Sequence, residues 1–509
     1  MQNLIKQVLE FSKKIKINDL NQDNFQNFIQ EFYIENKLVD FENYNTESLY
    51  YYSLSAYKIL CQKKSTNFNI KIYNPTKAND GFESPYTIIE IVNKDMPFLV
   101  DSSVNFLDKQ SIKINNIIHP VFKIKRNIDG SFVNFDKSGV DESLIQLHLD
   151  KITNESEINL LKENLSKIID TIALVVGDFE SMQELVKKAN SQIINAKKIS
   201  NEQEVNQYQE FLNWVLSGNF ILLGSKEFDI KKNNSSHELV EVANSASGVF
   251  KSKYADFLPE VVNASPQEVG DSINQPFVIE VIKSRYRSKI HRSTNAERIR
   301  VQKISNDGKV VGEFRFIGLF TSNVYYSSVF SIPLLKNKIS HVIEKSEYVK
   351  GSHNYKDLIS ILESYPRDEL FQISEDDLLK NSTGIVSIAG RSIVKFFARK
   401  DKFSRFVSCL IYTPRDRTNS DVREKIKGYL CEVFNGEIAD SFLQITESNL
   451  IRFHVIVRTN KGIPSFDENH IEQEIVKITK VWSDELVEAL KNKFENELRI
   501  VLYPKYKNS

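Results

Sequence analysis

The chain has few cysteines and no long apolar run. Cys61, Cys409 and Cys431 are its only cysteines among 509 residues, too few and too scattered for a disulfide framework. No stretch approaches the roughly 18 consecutive apolar residues of a membrane-spanning helix. The N-terminal stretch MQNLIKQVLEFSKKIKI is interrupted by lysines and lacks the apolar core of a signal peptide. We therefore expect a cytoplasmic protein without a membrane partner.

An excess of one charge is also missing. Lys and Arg together number 67, as do Asp and Glu, so the formal net charge is zero. No overall electric field then attracts the chain to the phosphates of nucleic acid or to an anionic membrane. We therefore expect no nucleic-acid partner.

The spacing of the glycines excludes several phosphate-binding motifs. The closest pair among 17 glycines, Gly308 and Gly312, is four residues apart, so neither the dinucleotide fingerprint nor the kinase loop occurs. No pair lies five apart, which excludes a P-loop. The sequence also contains no HExxH, Cys-x-x-Cys or GxSxG motif. We therefore assign no catalytic, cofactor-binding or metal-ligating residue and expect no catalysis by this chain alone.

The length and the hydrophobic patterns predict an α+β, multi-domain chain. At about 100–200 residues per domain, the length suggests three or four domains. The flanking α+β units have strands and helices in the order βαββα, which is typical of a ferredoxin-like fold. The predicted regions are a helical lead-in with a polar linker at its end (1–84), the first α+β unit (85–178), a mixed α+β middle domain (201–350), a helical connector (351–390) and the second α+β unit (391–509).

The stretch VNKDMPFLVDSSVNFLDKQSIKINNIIHPVF, from Val92 to Phe122, changes from a strand pattern to a helical pattern and back. The break falls at Asp95-Met96-Pro97. Asp95 suits the N-cap of the helix, and Pro97 suits its first turn. The stretch has two interpretations: the start of a helix, or a small-molecule site that includes Asp95 and Pro97.

This stretch resembles an ACT domain, a small sensor module whose signature is a strand, then Asp-x-Pro-Gly-x-Leu, then a helix. Asp95 and Pro97 match, but Phe98 stands at the glycine position. Glycine at that position lets a ligand approach the backbone closely. We therefore expect the ring of Phe98 to fill the space and free amino acids not to bind there. From this resemblance and the shared βαββα order, we expect both flanking α+β units to be ACT-like.

Five longer stretches resemble, in the same order, the N-terminal half of the large bacterial NAD-specific glutamate dehydrogenases. They are EIVNKDMPFLVDSSVNFL, FLNWVLSGNFILLGSKEFD, GEFRFIGLFTSNVYYSS, ILESYPRDELFQI and DKFSRFVSCLIYTPRDR. In that family this half carries ACT-like regulatory modules. The catalytic domain lies further on and oxidises L-glutamate with NAD to 2-oxoglutarate, ammonia and NADH. We expect this chain to lack that domain, so NAD is implied only for the full-length enzyme.

Three functions remain open. The first is a regulatory and assembly region of a glutamate dehydrogenase, the second a free-standing ACT-type amino-acid sensor, and the third a structural oligomerisation protein. The expected partners are another copy of the chain, a separately encoded dehydrogenase half and an amino-acid effector. For self-association, the strand RFHVIVRT is predicted to lie at a sheet edge, where backbone groups are unpaired.

Two charged stretches need separate interpretation. The densest basic run, SRYRSKIHRS, is either a solvated surface or a docking site for an acidic ligand or for the dehydrogenase half. Its candidate residues are Arg285, Arg287, His291 and Arg292. In SYPRDELF, Arg367 and Asp368 are predicted to cap a helix and to pair locally.

Overall fold

Helices and antiparallel sheets run through most of the chain in the computed structural model. The described residues are 2–15, 21–34, 36–41, 44–62, 67–233, 236–254, 269–270, 273, 277–445, 449–459 and 461–480. Within these residues the strands form three antiparallel sheets, and helices pack on each of them. The predicted α+β, multi-domain class is confirmed. Every helix in the described part of the chain is too short or too polar to cross a lipid bilayer.

The first unit is a sheet with helices on both faces. Its helices are α1 (Gln2–Ser12), α2 (Gln22–Ile34), α3 (Thr46–Cys61), α4 (Lys77–Asp80), α5 (Leu99–Lys109) and α6 (Glu155–Gly177). Its strands are β1 (Phe68–Tyr73), β2 (Tyr86–Lys94), β3 (Ile114–Ile118), β4 (Val121–Arg126), β5 (Phe132–Phe135) and β6 (Val140–Asp150). The strand order is β1-β2-β6-β4-β5, and β3 also pairs with β6.

Residues 1–84, which were predicted to be helical with a linker at the end, also supply a strand to this sheet. Strand β1 pairs antiparallel with β2, with Ile70 opposite Ile91. Its sequence FNIKIY alternates apolar and polar residues, which is the pattern of a half-buried strand. Helix α4 lies in the predicted linker, where the Thr76 side chain accepts from the Asn79 N–H and caps it. The lead-in and the first unit are therefore one folded body.

The two faces of the first sheet pack against different helices. Ile89 and Ile91 of β2 point towards α5 and α6, in the same core as Leu99 and Leu107. On the opposite face, the apolar residues pack against α2 and α3 through a layer of aromatic rings. The Phe28 ring lies 4.9 Å from the Phe122 ring, between centroids. This layer attaches the N-terminal helices to the sheet.

The middle unit is a second antiparallel sheet with helices on one side. Its helices are α7 (Phe179–Gln192) and α8 (Glu202–Trp214). Its strands are β7 (Phe220–Asn233), β8 (Ser236–Glu241), β9 (Ser247–Gly248), β10 (Ile279–Arg287), β11 (Asn295–Ile304) and β12 (Val310–Phe320). The order is β10-β11-β12-β7-β8, with β9 paired to β7. Helix α8 begins with a capping box between Asn201 and Glu204, which satisfies N–H groups that the helix itself leaves unpaired.

A helical segment leads from the middle sheet to the second α+β unit. Its helices are α9 (Ser322–Tyr326), α10 (Leu335–Lys345), α11 (His353–Ser364), α12 (Arg367–Gln372) and α13 (Glu375–Ile388). The second unit contains β13 (Lys395–Lys400), β14 (Phe406–Pro414), α14 (Ser420–Phe434), β15 (Gly436–Ile445), β16 (Leu450–Thr459) and α15 (Glu468–Ile478). Helix α15 ends at Ile478, and residues 481–509 lie outside the described part.

The predicted position of the strand RFHVIVRT is wrong. The order of the last sheet is β13-β14-β16-β15, so this strand, β16, lies inside the sheet between β14 and β15. Its apolar side chains, including Phe453 and Val455, face α14 and α15. Its polar side chains, including Arg452 and His454, are also buried, against the helical segment and the middle sheet. Alternation of charged and apolar residues marks an exposed face only where nothing covers it.

Replacing Phe28 with alanine is expected to destabilise the first unit strongly. Phe28 is 1% exposed and also packs on the rings of Phe32 and Tyr57. Removal of such a buried ring costs about 3–5 kcal/mol in the free energy of unfolding. Chemical unfolding of both proteins measures the loss. The matched control is Ile34→Ala on the same helix, where the side chain is 66% exposed and a change within about 0.5 kcal/mol is expected. Equal losses in the free energy of unfolding for the two substitutions would contradict the role of Phe28 in the aromatic layer.

Candidate functional site

The predicted corner at Asp95 and Pro97 has a different geometry from the one expected. Helix α5 begins at Leu99, and its cap position is Phe98, which makes no side-chain capping hydrogen bond. Asp95 is therefore not the N-cap, and Pro97 precedes the first turn. Both residues are exposed, and the Asp95 N–H donates to the carbonyl of Asp141 at 2.8 Å. The helix starts later because the chain first makes a tight turn at Phe98.

Phe98 adopts the left-handed backbone conformation that favours glycine, with φ of 76°. This is the position where the ACT signature has glycine. A residue with a Cβ atom is strained there by roughly 1–2 kcal/mol. The Phe98 ring packs against the core of the first unit, and its centroid lies 5.5 Å from the His291 ring. Packing of the phenyl ring therefore accompanies the strained turn.

His291 joins this corner to the middle unit. Its backbone N–H donates to the Ser102 hydroxyl at 3.0 Å, and the Asn105 amide donates to the His291 carbonyl at 2.5 Å. Its Nδ1 lies 3.0 Å from Asp101 Oδ2. The structure thus brings the ACT-like corner and part of the basic run together, although they are far apart in the sequence. The corner is occupied by the protein's own loop.

The rest of the basic run separates into different contacts. Arg287 donates to the Ala439 carbonyl at 3.0 Å and pairs with Asp440 at 3.2 Å, so it connects β10 to β15. Arg292 donates to the Phe320 carbonyl, and its guanidinium lies 5.5 Å from the centre of the Tyr325 ring. Arg285 is exposed and lines a small crevice beside the second unit. The run therefore does not form a single basic surface patch.

A cavity of about 570 Å³ lies where the middle sheet, α12 and the second α+β unit meet. Its volume is in the range of small-molecule sites. Charged side chains form one part of its wall, and apolar side chains of the last sheet form another. The principal lining residues are Lys283, Arg292, Tyr325, Arg367, Asp368, Glu369, Phe406, Phe442, Leu443, Arg452, His454 and Ile456.

Lys283 is the central cation of this junction. It is 5% exposed, and its ammonium group donates to Asp368 Oδ2 at 2.7 Å and to Glu297. The Tyr325 hydroxyl donates to Asp368 Oδ1 at 3.0 Å. Burial by itself would raise the pKa of Asp368, but the charge of Lys283 lowers it. Burial raises the pKa of Glu297 to about 8, while the charge of Lys283 opposes that rise.

The local pairing predicted for Arg367 and Asp368 is therefore only partly correct. Arg367 does make local bonds, because its guanidinium donates to the carbonyl of Glu363 at 2.7 Å. It also donates to the distant carbonyl of Ser327 at 2.9 Å. Asp368 pairs with a lysine on another unit of the chain. A short acidic motif at a helix start does not indicate which distant cation will meet it.

A second buried ion pair lies beside the first. Arg399 of β13 donates two hydrogen bonds to the carboxylate of Glu369, at 2.7 and 2.8 Å. Burial alone would raise the pKa of Glu369, but the charge and hydrogen bonds of Arg399 lower it to about 2. His454 lies on the same face of the last sheet, with Nε2 2.8 Å from the Ser408 hydroxyl. Burial lowers the pKa of His454 to about 4, so its imidazole is neutral at physiological pH.

The sequence did not predict four residues of the junction, namely Lys283, Glu369, Arg452 and His454. A usable signal existed for the last two, because Arg452 and His454 share one face of a strand. A polar strand face usually indicates exposure to solvent, but this face is covered by other parts of the chain. Lys283 and Glu369 carry no local signal, because single charges in otherwise amphipathic elements are common. The partners that make them significant lie on other units.

A metal ion or a dinucleotide would each need a characteristic set of groups at the junction. Among the described residues, no cluster of three His, Cys, Asp or Glu side chains could hold a metal ion. A dinucleotide needs a glycine-rich cradle at the end of a strand, usually in a parallel sheet. The sheets in the described residues are antiparallel, and the sequence has no Gly-x-Gly. The described residues therefore do not fit NAD.

Replacing Lys283 with methionine is expected to destabilise the junction. The substitution leaves Asp368 without its cation while keeping a similar side-chain volume. Breaking a buried pair in this way costs about 3–5 kcal/mol, and the lower part of that range applies because Asp368 is 24% exposed. The midpoint of chemical unfolding reports the loss. Lys123→Met is the control, because the ion pair of Lys123 with Asp141 is at the surface, with both side chains about half exposed, and such pairs contribute about 0–1 kcal/mol.

The buried His454 is expected to make stability depend on pH. The unfolded histidine binds a proton near its ordinary pKa of 6.5, whereas the folded one does so only near 4. The neutral His454 therefore contributes its full stabilisation above pH 6.5. Roughly 3 kcal/mol of the free energy of unfolding is lost as the pH falls to about 4. His454→Gln keeps a hydrogen-bonding group and should reduce this slope in urea unfolding curves. The control His341→Gln, at an exposed histidine, should keep it. An unchanged slope in His454→Gln would contradict the assignment.

Models of known protein families match three segments of the chain. The glutamate dehydrogenase ACT1 domain matches residues 28–165, helical motif 1 matches residues 332–391, and the ACT2 domain matches residues 395–483. The first match covers the sheet with β2, the helices α3, α4 and α5, and parts of α2 and α6. The second covers α10 to α13, and the third covers the last sheet with its helices. The cavity lies beside the second and third matched segments.

Curated relatives are similar along most of this chain. The NAD-specific glutamate dehydrogenase of Halomonas elongata is 29% identical over 490 residues, which are 95% of this chain and 30% of that protein. The one from Pseudomonas aeruginosa is 28% identical over 440 residues, 85% of this chain and 27% of that protein. The one from Mycobacterium tuberculosis is 23% identical over 424 residues, 79% and 25% respectively.

The chain thus spans less than a third of the length of these curated relatives. Among solved structures, a bacteriophytochrome from R. palustris is similar at 9% identity over 78% of this chain and 87% of that one, with a TM-score of 0.13, too low to inform the fold. The ACT1, helical motif 1 and ACT2 matches follow one another along the chain, and the full-length similarity is to one kind of enzyme. The chain is therefore similar to NAD-specific glutamate dehydrogenases along most of its length, and it contains segments that match the ACT1, helical motif 1 and ACT2 models of glutamate dehydrogenase.

Proposed function

We propose that this chain is the regulatory and assembly region of an NAD-specific glutamate dehydrogenase and that it does not catalyse the reaction by itself. One observation carries the proposal. The ACT1 and ACT2 segments are joined by a continuous buried core that includes Ile89 of the first sheet and Leu450 of the last. Packed side chains of this kind offer a physical route for coupling between the two ACT units.

The family reaction is oxidation of L-glutamate by NAD to 2-oxoglutarate, ammonia and NADH. In this proposal, residues outside the chain bind NAD and carry out that reaction. The partners are a dehydrogenase half, encoded separately or within one longer polypeptide, and further copies of the chain. The setting is the cytoplasm, where glutamate and NAD are available.

A free-standing amino-acid sensor is less well supported. The corner that resembles an ACT ligand site is occupied by Phe98 and by the His291 loop. An amino acid could enter only if this loop moved away, which would break three polar contacts with α5. The first unit therefore fits an internal contact better than an effector site at this corner.

The purified chain is expected to form no NADH from glutamate and NAD. The proposed reason is that the described residues do not provide a dinucleotide site. Absorbance of NADH measures the reaction, and a full-length relative such as the Pseudomonas aeruginosa enzyme serves as the positive control. Sedimentation of the same sample shows whether the chain associates with itself or with the catalytic part of that relative. NADH formation that copurifies with the chain would refute the proposal.

A further inference from the structure

We propose that the junction cavity binds a small organic carboxylate that carries a hydrocarbon portion. The cavity has a volume of about 570 Å³ and is bordered by β10, α12 and the β15–β16 hairpin. Its position between the middle unit and the second α+β unit differs from the ACT-like corner near Asp95. Binding itself follows from the cavity's chemistry. Only its role as a regulatory signal rests on the function proposed above.

The acidic residues of the cavity wall already have cationic partners. Asp368 accepts from Lys283 at 2.7 Å and from the Tyr325 hydroxyl at 3.0 Å. Glu369 accepts two hydrogen bonds from Arg399. Neither carboxylate needs a cation from a ligand. The ammonium group of an amino acid would therefore find no unneutralised carboxylate among these lining residues.

Two arginines of the cavity wall, unlike the acidic residues, have no partner of opposite charge among the described residues. Arg452 is 7% exposed, and its guanidinium donates to the Ser364 carbonyl at 2.5 Å and to the Gln444 side chain, both uncharged. Arg292 donates to the Phe320 carbonyl. Among the described residues, neither arginine has a carboxylate within ion-pair distance. Desolvated guanidinium groups bind carboxylates strongly, because the geometry permits paired charge-assisted hydrogen bonds.

Unsatisfied donors point to the same conclusion. The Nε atoms of Arg292 and Arg367 are buried and have no hydrogen-bond acceptor among the described residues. A buried N–H without an acceptor is costly, so native proteins usually supply a protein group, a water or a ligand. A carboxylate oxygen in the cavity can accept from such a donor and also neutralise charge.

The apolar wall defines the rest of the ligand. Phe442 and Leu443 of β15 are 51% and 44% exposed, which is unusual for large apolar side chains on one short strand segment. Phe442 shares the sheet face of His454, Phe406 and Ile456 that lines the cavity, and Leu443 borders the cavity from the next position of the edge strand. A hydrocarbon chain would cover them. The matching ligand is thus an aliphatic carboxylate and not inorganic phosphate.

The test is direct binding to the purified chain, measured by calorimetry with isovalerate, glutarate, valine and inorganic phosphate. Isovalerate and valine form a matched pair that differs only in the ammonium group. The expected result is saturable binding of isovalerate or glutarate, with valine and phosphate binding at least about tenfold more weakly, which corresponds to about 1.4 kcal/mol. No carboxylate binding at about 10 mM, or phosphate or valine binding as tight as isovalerate, would overturn the proposal.

Variants locate the site. Arg452→Gln is expected to weaken carboxylate binding about tenfold or more, because a charge-assisted bond is lost. Arg458→Gln is the matched control on the same strand: Arg458 pairs with Glu437 and does not line this cavity, so binding should be unchanged. Equal affinity in wild type and Arg452→Gln would place the ligand elsewhere and refute the site.

A second pair of variants avoids dependence on the buried arginine. Phe442 is half exposed, so Phe442→Glu should fold normally while placing a negative charge at the wall of the cavity. This charge should weaken carboxylate binding more than the uncharged Phe442→Gln does, and the difference should shrink at high salt. Identical affinities for the two variants would contradict the cavity as the site. These outcomes are independent of NADH formation, so failure here leaves the proposed function standing.

Discussion

The buried charges between the middle sheet and the second α+β unit impose the strongest constraint on this structure. Lys283, Asp368 and Glu297 come from different elements, and a cation or carboxylate left alone there would be costly. The pair Arg399 and Glu369 obeys the same rule a short distance away. These groups can be buried only when β10, α12 and β13 are docked together. Docking is therefore specified by pairing of charges as well as by apolar area.

Both ACT-type sheets have two covered faces, but the faces are covered in different ways. A sheet with its own helices on one face leaves the other to be covered. In the first unit, aromatic residues of α2 and α3 cover it, with Phe28 stacked on Phe122. In the second unit, the helical segment and β10 cover it, and the face carries Arg452 and His454. Apolar packing covers the second face of the first unit, and a polar interface covers that of the second unit.

The two ACT-type units differ in the space that they leave for a ligand. At the first ACT-like corner, Phe98 takes the position where the signature has glycine, and His291 from the middle unit occupies the space beside it. At the second unit, space remains between elements, and Arg292 and Arg452 face it without a carboxylate partner among the described residues. In the proposal made above, a ligand therefore binds at the junction and not at the corner. A ligand there would contact the units whose relative position the ion pairs maintain.

The sequence by itself predicted most of the secondary structure and the resemblance to glutamate dehydrogenases. Periodicity of two or three to four residues is local, so the α+β class and most strands and helices could be predicted, although β1 was missed within a segment judged helical. The stretches around Asp95 and Asp368 were also interpreted as the starts of helices. Only the tertiary structure decided the strand order, which placed RFHVIVRT inside its sheet, and the partners of the charges. Lys283 meets Asp368 across 85 positions, and His291 meets Asp101 across 190. Such pairings depend on how whole units dock, and no local pattern encodes that.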